Sequence, residues 1–98
     1  MTMRGKDRAA LRAEAHHLRA LVHVGQQGIT AAVQQALDEA LSTRELVKVQ
    51  FVRGAPIDAK ECAGELALSL GAEVVQVIGR TTTLYRHNPE LGKDQQRQ

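Results

Sequence analysis

The chain has 98 residues, 43% of them hydrophobic and 24% charged, with a formal net charge of +2. That fits one domain with one core and excludes both a disordered chain and a membrane span, because no apolar run approaches the ~18 residues a bilayer needs. One Phe, one Tyr and no Trp exclude a sheet that stacks several bases on aromatic rings, an aromatic cage and an aromatic-rich interface, so the core must be aliphatic.

The charge is segregated along the chain. Residues 1–28 carry five basic and two acidic side chains, residues 29–73 four and seven, and residues 74–98 four and two. Such segregation fits an anionic partner on one side, or equally a solvated surface with chance clustering. The first residues are charged with no apolar segment behind them, so no export signal is expected. Cys62 has no second cysteine to pair with, and the expected compartment is the reducing cytoplasm.

The first predicted element is a helix over about Lys6–His17, with Leu11, Ala15 and Leu18 at i, i+4 and i+7, Asp7 as its N-cap and Arg12 on the solvated side. Ala20–Val24 is short, β-branched and stopped by Gly25, which predicts a strand. Its alternation puts His23 on the opposite face from Val22 and Val24. Gly25-Gln26-Gln27-Gly28 is a tight loop. Beyond it Ile29, Ala32, Val33, Ala36, Leu37, Ala40 and Leu41 give the strongest helical stripe in the chain, with Thr30 as N-cap. Leu46–Val52 alternates as a strand, with Lys48 and Gln50 on its more polar face.

Asp58 and Glu61 resemble a capping box at the start of the next helix, with Ile57 and Cys62 in the staple positions. Cys62, Ala63, Leu66, Ala67 and Leu70 form its buried stripe and Gly71 its stop. Glu73–Ile78 and Thr81–Arg86 are two strands joined by Gly79-Arg80, which suits a type II′ hairpin turn. The order is α-β-α-β-α-β-β. It predicts a compact α/β sandwich with a four-stranded mixed sheet, its strand order left open. Residues 1–89 are expected to form the single domain, and residues 90–98 a polar, disordered tail.

The sharpest candidate site is the Gly25–Gly28 loop. Glycines let a backbone approach a bulky partner, and the helix that follows offers unpaired N–H groups and the positive end of its dipole. As a motif it reads equally as a plain strand-to-helix turn. It lacks the third glycine of a dinucleotide fingerprint and the Gly-Lys-Ser/Thr of a P-loop, so nucleotide-dependent enzymology is not expected. His16 and His17 point about 100° apart on a helix, and no His, Cys or carboxylate set has metal-ligand spacing, so neither a metal nor a cofactor is expected. Ser42 and Ser69 have no histidine nearby in sequence, and no catalytic set is visible. Arg12 and Arg19 before the loop, Lys48 on its strand, and Arg80 and Arg86 on the final hairpin read either as solvated charges or, as a set, as phosphate contacts.

Four segments together resemble one family. They are Ala15-His16-His17-Leu18, then Val22 to Thr30 with Gly25 and Gly28, then Glu45–Val49, then Val75 to Arg86 with Gly79-Arg80 and Leu84-Tyr85-Arg86. In that order they are similar to the CRM domain, above all to its stand-alone bacterial, YhbY-like form. Ala20 stands where the family favours proline, and Gln26-Gln27 where many members carry a more basic or smaller pair.

The resemblance implies a fold like the C-terminal domain of translation initiation factor three and a loop that contacts RNA. It further implies a non-catalytic protein that binds ribosomal RNA in precursors of the large subunit and assists ribosome assembly. Its site residues would be Gly25, Gln26, Gln27, Gly28 and Thr30, with Arg12, Arg19, Lys48, Arg80 and Arg86. Two other readings fit the same element order: an Alba-like DNA-binding architectural protein, and a protein-interaction module that binds no nucleic acid.

Overall fold

The computed structural model describes residues 5–55 and 58–88. Its elements run α1 (Gly5–Ala15), β1 (Ala20–Val24), α2 (Ala31–Arg44), β2 (Leu46–Phe51), α3 (Ala59–Leu70), β3 (Glu73–Ile78) and β4 (Thr81–Tyr85). This is the predicted α-β-α-β-α-β-β order. The proposed tail at 90–98 and the staple residue Ile57 lie outside the described residues.

One mixed sheet holds all four strands in the order β1-β2-β4-β3. β1 and β2 are parallel, and β4 is antiparallel to both of its neighbours. Three strands therefore point the same way, and β4 fills the gap that the crossover through α3 leaves between β2 and β3.

The sheet has two unequal faces because side chains alternate along each strand. One face packs Val22, Val24, Val47, Val49, Phe51 and Leu84 against Leu37 and Leu41 of α2 and Cys62, Leu66 and Ala67 of α3. Burying a leucine such as Leu37 contributes about 1.5–3 kcal/mol. Among the described residues the other face meets only α1, where Leu11 and Ala15 join Leu46 and Val75, flanked by Leu18 and Tyr85. Arg8 reaches from α1 to the carbonyls of Val74 and Val75, where the β3 ladder shifts register. The rest of this second face, including Lys48, Gln50, Gln76, Ile78, Thr81 and Thr83, lies beyond the end of the helix.

Some local predictions change. Asp7 lies inside α1, which already runs from Gly5, so it is not the N-cap. Asp58 is the N-cap of α3, but its side chain makes no cap hydrogen bond, so the expected capping box does not form. Gly79 has φ +57 while Arg80 has no positive φ. A type I′ turn needs both positive, so the hairpin turn is of the II′ kind.

α2 ends on Glu45, a non-glycine residue at φ 66. Such a conformation costs on the order of 1–3 kcal/mol and persists only where its surroundings hold it. Here the N–H of Glu45 donates to the Leu41 carbonyl, its own carbonyl accepts from the N–H of Arg86, and its buried carboxylate accepts from the N–H of Asn88 at 2.7 Å.

Candidate nucleic-acid interface

The parallel direction of β1, β2 and β3 sends their following turns to one end of the sheet. Those turns are Gly25–Gly28, Val52–Ala55 and Gly79-Arg80. Backbone bonds stitch the end together: the N–H of Val52 donates to the Val24 carbonyl at 2.9 Å, and that of Phe51 to the Arg80 carbonyl at 2.7 Å. With strands ~4.8 Å apart, the edge from the β1 loop to the β3–β4 hairpin spans roughly 10–14 Å.

The loop itself is a tight turn in which the N–H of Gly28 donates to the Gly25 carbonyl at 3.0 Å. Gly28 is buried at φ +75, a conformation that needs glycine. Gly25 differs: its φ is not in the left-handed region, and a Cβ placed on it would meet nothing within 4 Å among the described residues. The fold does not require glycine at that position. Gln26 and Gln27 are exposed. Gln26 leans over the next turn, where a Cβ on Gly54 would lie 3.8 Å from its Nε2. Thr30 caps α2 as predicted, its hydroxyl accepting from the N–H of Val33 at 3.2 Å, an interaction worth ~1 kcal/mol. No acidic residue stands in the first turn of α2, so the positive end of its dipole is uncompensated there.

The basic candidates divide. Arg80 is exposed in the hairpin turn at this same end. Arg53, exposed in the turn after β2, joins it and was missed from the sequence. The signal for it was present, since Arg53-Gly54 follows a strand end as Gly25 does. Arg19 is exposed but precedes β1, at the opposite end of that strand from Gly25, and Arg12 is half-buried on α1.

Lys48 and Arg86 have other work. Lys48 Nζ donates to the carbonyls of Ala15 at 3.1 Å and Leu18 at 3.3 Å, capping the end of α1 with a cation. Arg86 sits at the far end of the sheet. Its guanidinium donates to Asp38 Oδ1 at 2.7 Å, the Asp38 carbonyl at 2.8 Å, Ser42 Oγ at 2.8 Å and the Leu70 carbonyl at 2.9 Å, clamping α2 to the end of α3. Arg86 is therefore a structural clamp and is not brought to the loop.

Among the described residues no group of three His, Cys, Asp or Glu could hold a metal ion, and no helix is long and apolar enough to cross a membrane. Burial, with the Glu65 carboxylate adding to it, pushes the Cys62 thiol above its ordinary pKa. That favours the protonated form, which is a poor nucleophile.

The CRS1 / YhbY (CRM) domain model matches residues 3–86. The chain is 35% identical to "Probable RNA-binding protein YqeI" of Bacillus subtilis over 88% of its own length and 90% of that protein. It is 40% identical to a "Probable RNA-binding protein" of Methanocaldococcus jannaschii, over 84% of its own length and 62% of that protein. A Staphylococcus aureus protein solved in solution superposes with a TM-score of 0.76 at 33% identity, covering 89% of this chain and 91% of that one. The four-stranded mixed fold and the match over nearly its whole length agree: the chain belongs to the CRS1 / YhbY (CRM) domain family.

Proposed function

We propose that this protein is a non-catalytic RNA-binding protein. It grips the phosphate backbone along the sheet end built by Gly25–Gly28, the start of α2, Arg53 and Arg80. The observation that carries this reading is Gly25, a glycine that the fold does not need but a close backbone contact would. The relatives named as RNA-binding proteins support the class of partner. Within that class we favour ribosomal RNA in large-subunit precursors, bound in the cytoplasm during subunit assembly.

The test is binding to structured RNA across a salt series, with duplex DNA as competitor. Each phosphate neutralised contributes a log–log slope of roughly −0.7 to −0.9, so the two basic side chains at this edge, Arg53 and Arg80, give a slope of roughly −1.4 to −1.8. A flat salt response rules out phosphate gripping, and better competition by DNA than by RNA turns the reading toward an architectural DNA-binding protein. Crosslinking in cells, with the bound RNA sequenced, then identifies the RNA; recovery of messenger RNA alone would remove the ribosomal part.

A further inference from the structure

We propose that the half of the sheet's second face left uncovered among the described residues seats one unpaired nucleobase of the bound RNA. The inference rests on the RNA-binding reading and adds a source of base preference, which phosphate contacts do not supply.

A half-open cleft of about 140 Å³ lies where α1 stops short, lined by His16, Lys48, Gln76, Ile78, Thr81 and Thr83. The cleft is a standing feature of the fold. Lys48 holds the carbonyls of Ala15 and Leu18, so the end of α1 is pinned and does not slide across the face.

Its lining suits a base better than a phosphate. A phosphate accepts hydrogen bonds and wants donors only. The Gln76 amide and the Thr81 hydroxyl, both half-buried, each both donate and accept, which matches the mixed edge of a nucleobase. Ile78, 60% exposed, and the imidazole of His16 offer an apolar and an aromatic surface for the flat face of a base, and histidine is among the rings on which unpaired RNA bases stack. A chain poor in Phe, Tyr and Trp thus has a stacking surface of another kind. The ammonium of Lys48 has three hydrogens and spends two on carbonyls, leaving one.

Position supports the same occupant. Ile78 and Thr81 flank the Gly79-Arg80 turn, so the cleft opens beside the proposed phosphate-gripping edge. A backbone held at Arg80 delivers an adjoining nucleotide to it. A base inside a duplex keeps its edge paired, so the occupant is an unpaired one.

The test uses the intact protein and three short RNA duplexes: one with a single bulged nucleotide, the same with an abasic bulge, and one fully paired. The base-bearing bulge should bind at least fivefold more tightly than the abasic one. Gln76→Ala and Ile78→Ala should each shrink that preference below twofold while leaving affinity for the paired duplex within twofold. Unchanged thermal unfolding of Ile78→Ala is the folding control, since that side chain is exposed. Equal binding of all three duplexes by the parent overturns the base site and leaves RNA binding standing. A preference that both variants keep also overturns it, because the base then sits elsewhere. Binding to none of the three removes the RNA reading itself, and the base site with it.

Discussion

A methyl group added at Gly25 would meet open space, whereas at Gly28 it would force an L residue to φ +75. The two substitutions should therefore separate. Gly25→Ala should leave thermal stability unchanged or slightly raised, by up to about 1 kcal/mol through a stiffer unfolded chain, and should weaken RNA binding several-fold. Gly28→Ala should lower stability by about 1 kcal/mol or more. If Gly25→Ala binds RNA like the parent, no close backbone contact is made there. Thr82 offers a second single-residue test. Its hydroxyl is fully buried between core positions and has no hydrogen-bond partner among the described residues. Thr82→Val should stabilise by ~1 kcal/mol, raising Tm by ~4–8 °C in a domain of this size. At this scale the sequence was least legible. Lys48 and Arg86 look like any basic surface residue, because what occupies them is carbonyl groups of residues distant along the chain, at Ala15, Leu18, Asp38 and Leu70.

Elements were far more legible, since each is set by a local cause. The β1 and β3 strands have the bounds that alternation and glycine stops predict, and the α2 cap falls on Thr30 as its side chain dictates. The α3 cap was overread: Asp58 stands in the right place, but position alone does not make its carboxylate turn inward. The loop before α2 is the element whose surface chemistry can be changed with least damage. Replacing Gln26 and Gln27 together with Asp keeps both glycines and puts carboxylates near a helix N-terminus, which stabilises by ~0.3–1 kcal/mol if anything. The same carboxylates repel a phosphate. The double variant should melt like the parent and bind RNA at least tenfold more weakly, a loss of about 1.4 kcal/mol. Normal melting with parental affinity would make the loop a plain turn.

On the proposed function the two ends of the sheet have different tasks, and Arg80 and Arg86 report on them. Arg80→Ala should weaken RNA binding and shift stability by no more than about 0.5 kcal/mol. Arg86→Ala should do the reverse, because it strips partners from the Leu70 and Asp38 carbonyls and unclamps α2 from α3, at a cost of roughly 1–3 kcal/mol. Thermal unfolding and RNA titration on each variant decide it; equal loss of binding from both would mean the RNA spans both ends. The strand order β1-β2-β4-β3 was beyond a reading of the sequence. Periodicity tells which residues share a face, but not which neighbour a strand takes after a crossover.

That order also fixes when the fold can close. The last strand of this sheet in chain order, β4, is hydrogen-bonded on both sides, so it is the keystone and not an addition at the rim. Until Thr81–Tyr85 has been synthesised, β2 has a bare edge and β3 has no partner at all. Contacts between β4 and β2 join residues more than thirty positions apart, and closing such loops costs entropy before any pairing rewards it. A nascent chain that stops before Thr81 therefore holds at most a parallel β1–β2 pair under α2. Folding is deferred until β4 has been made.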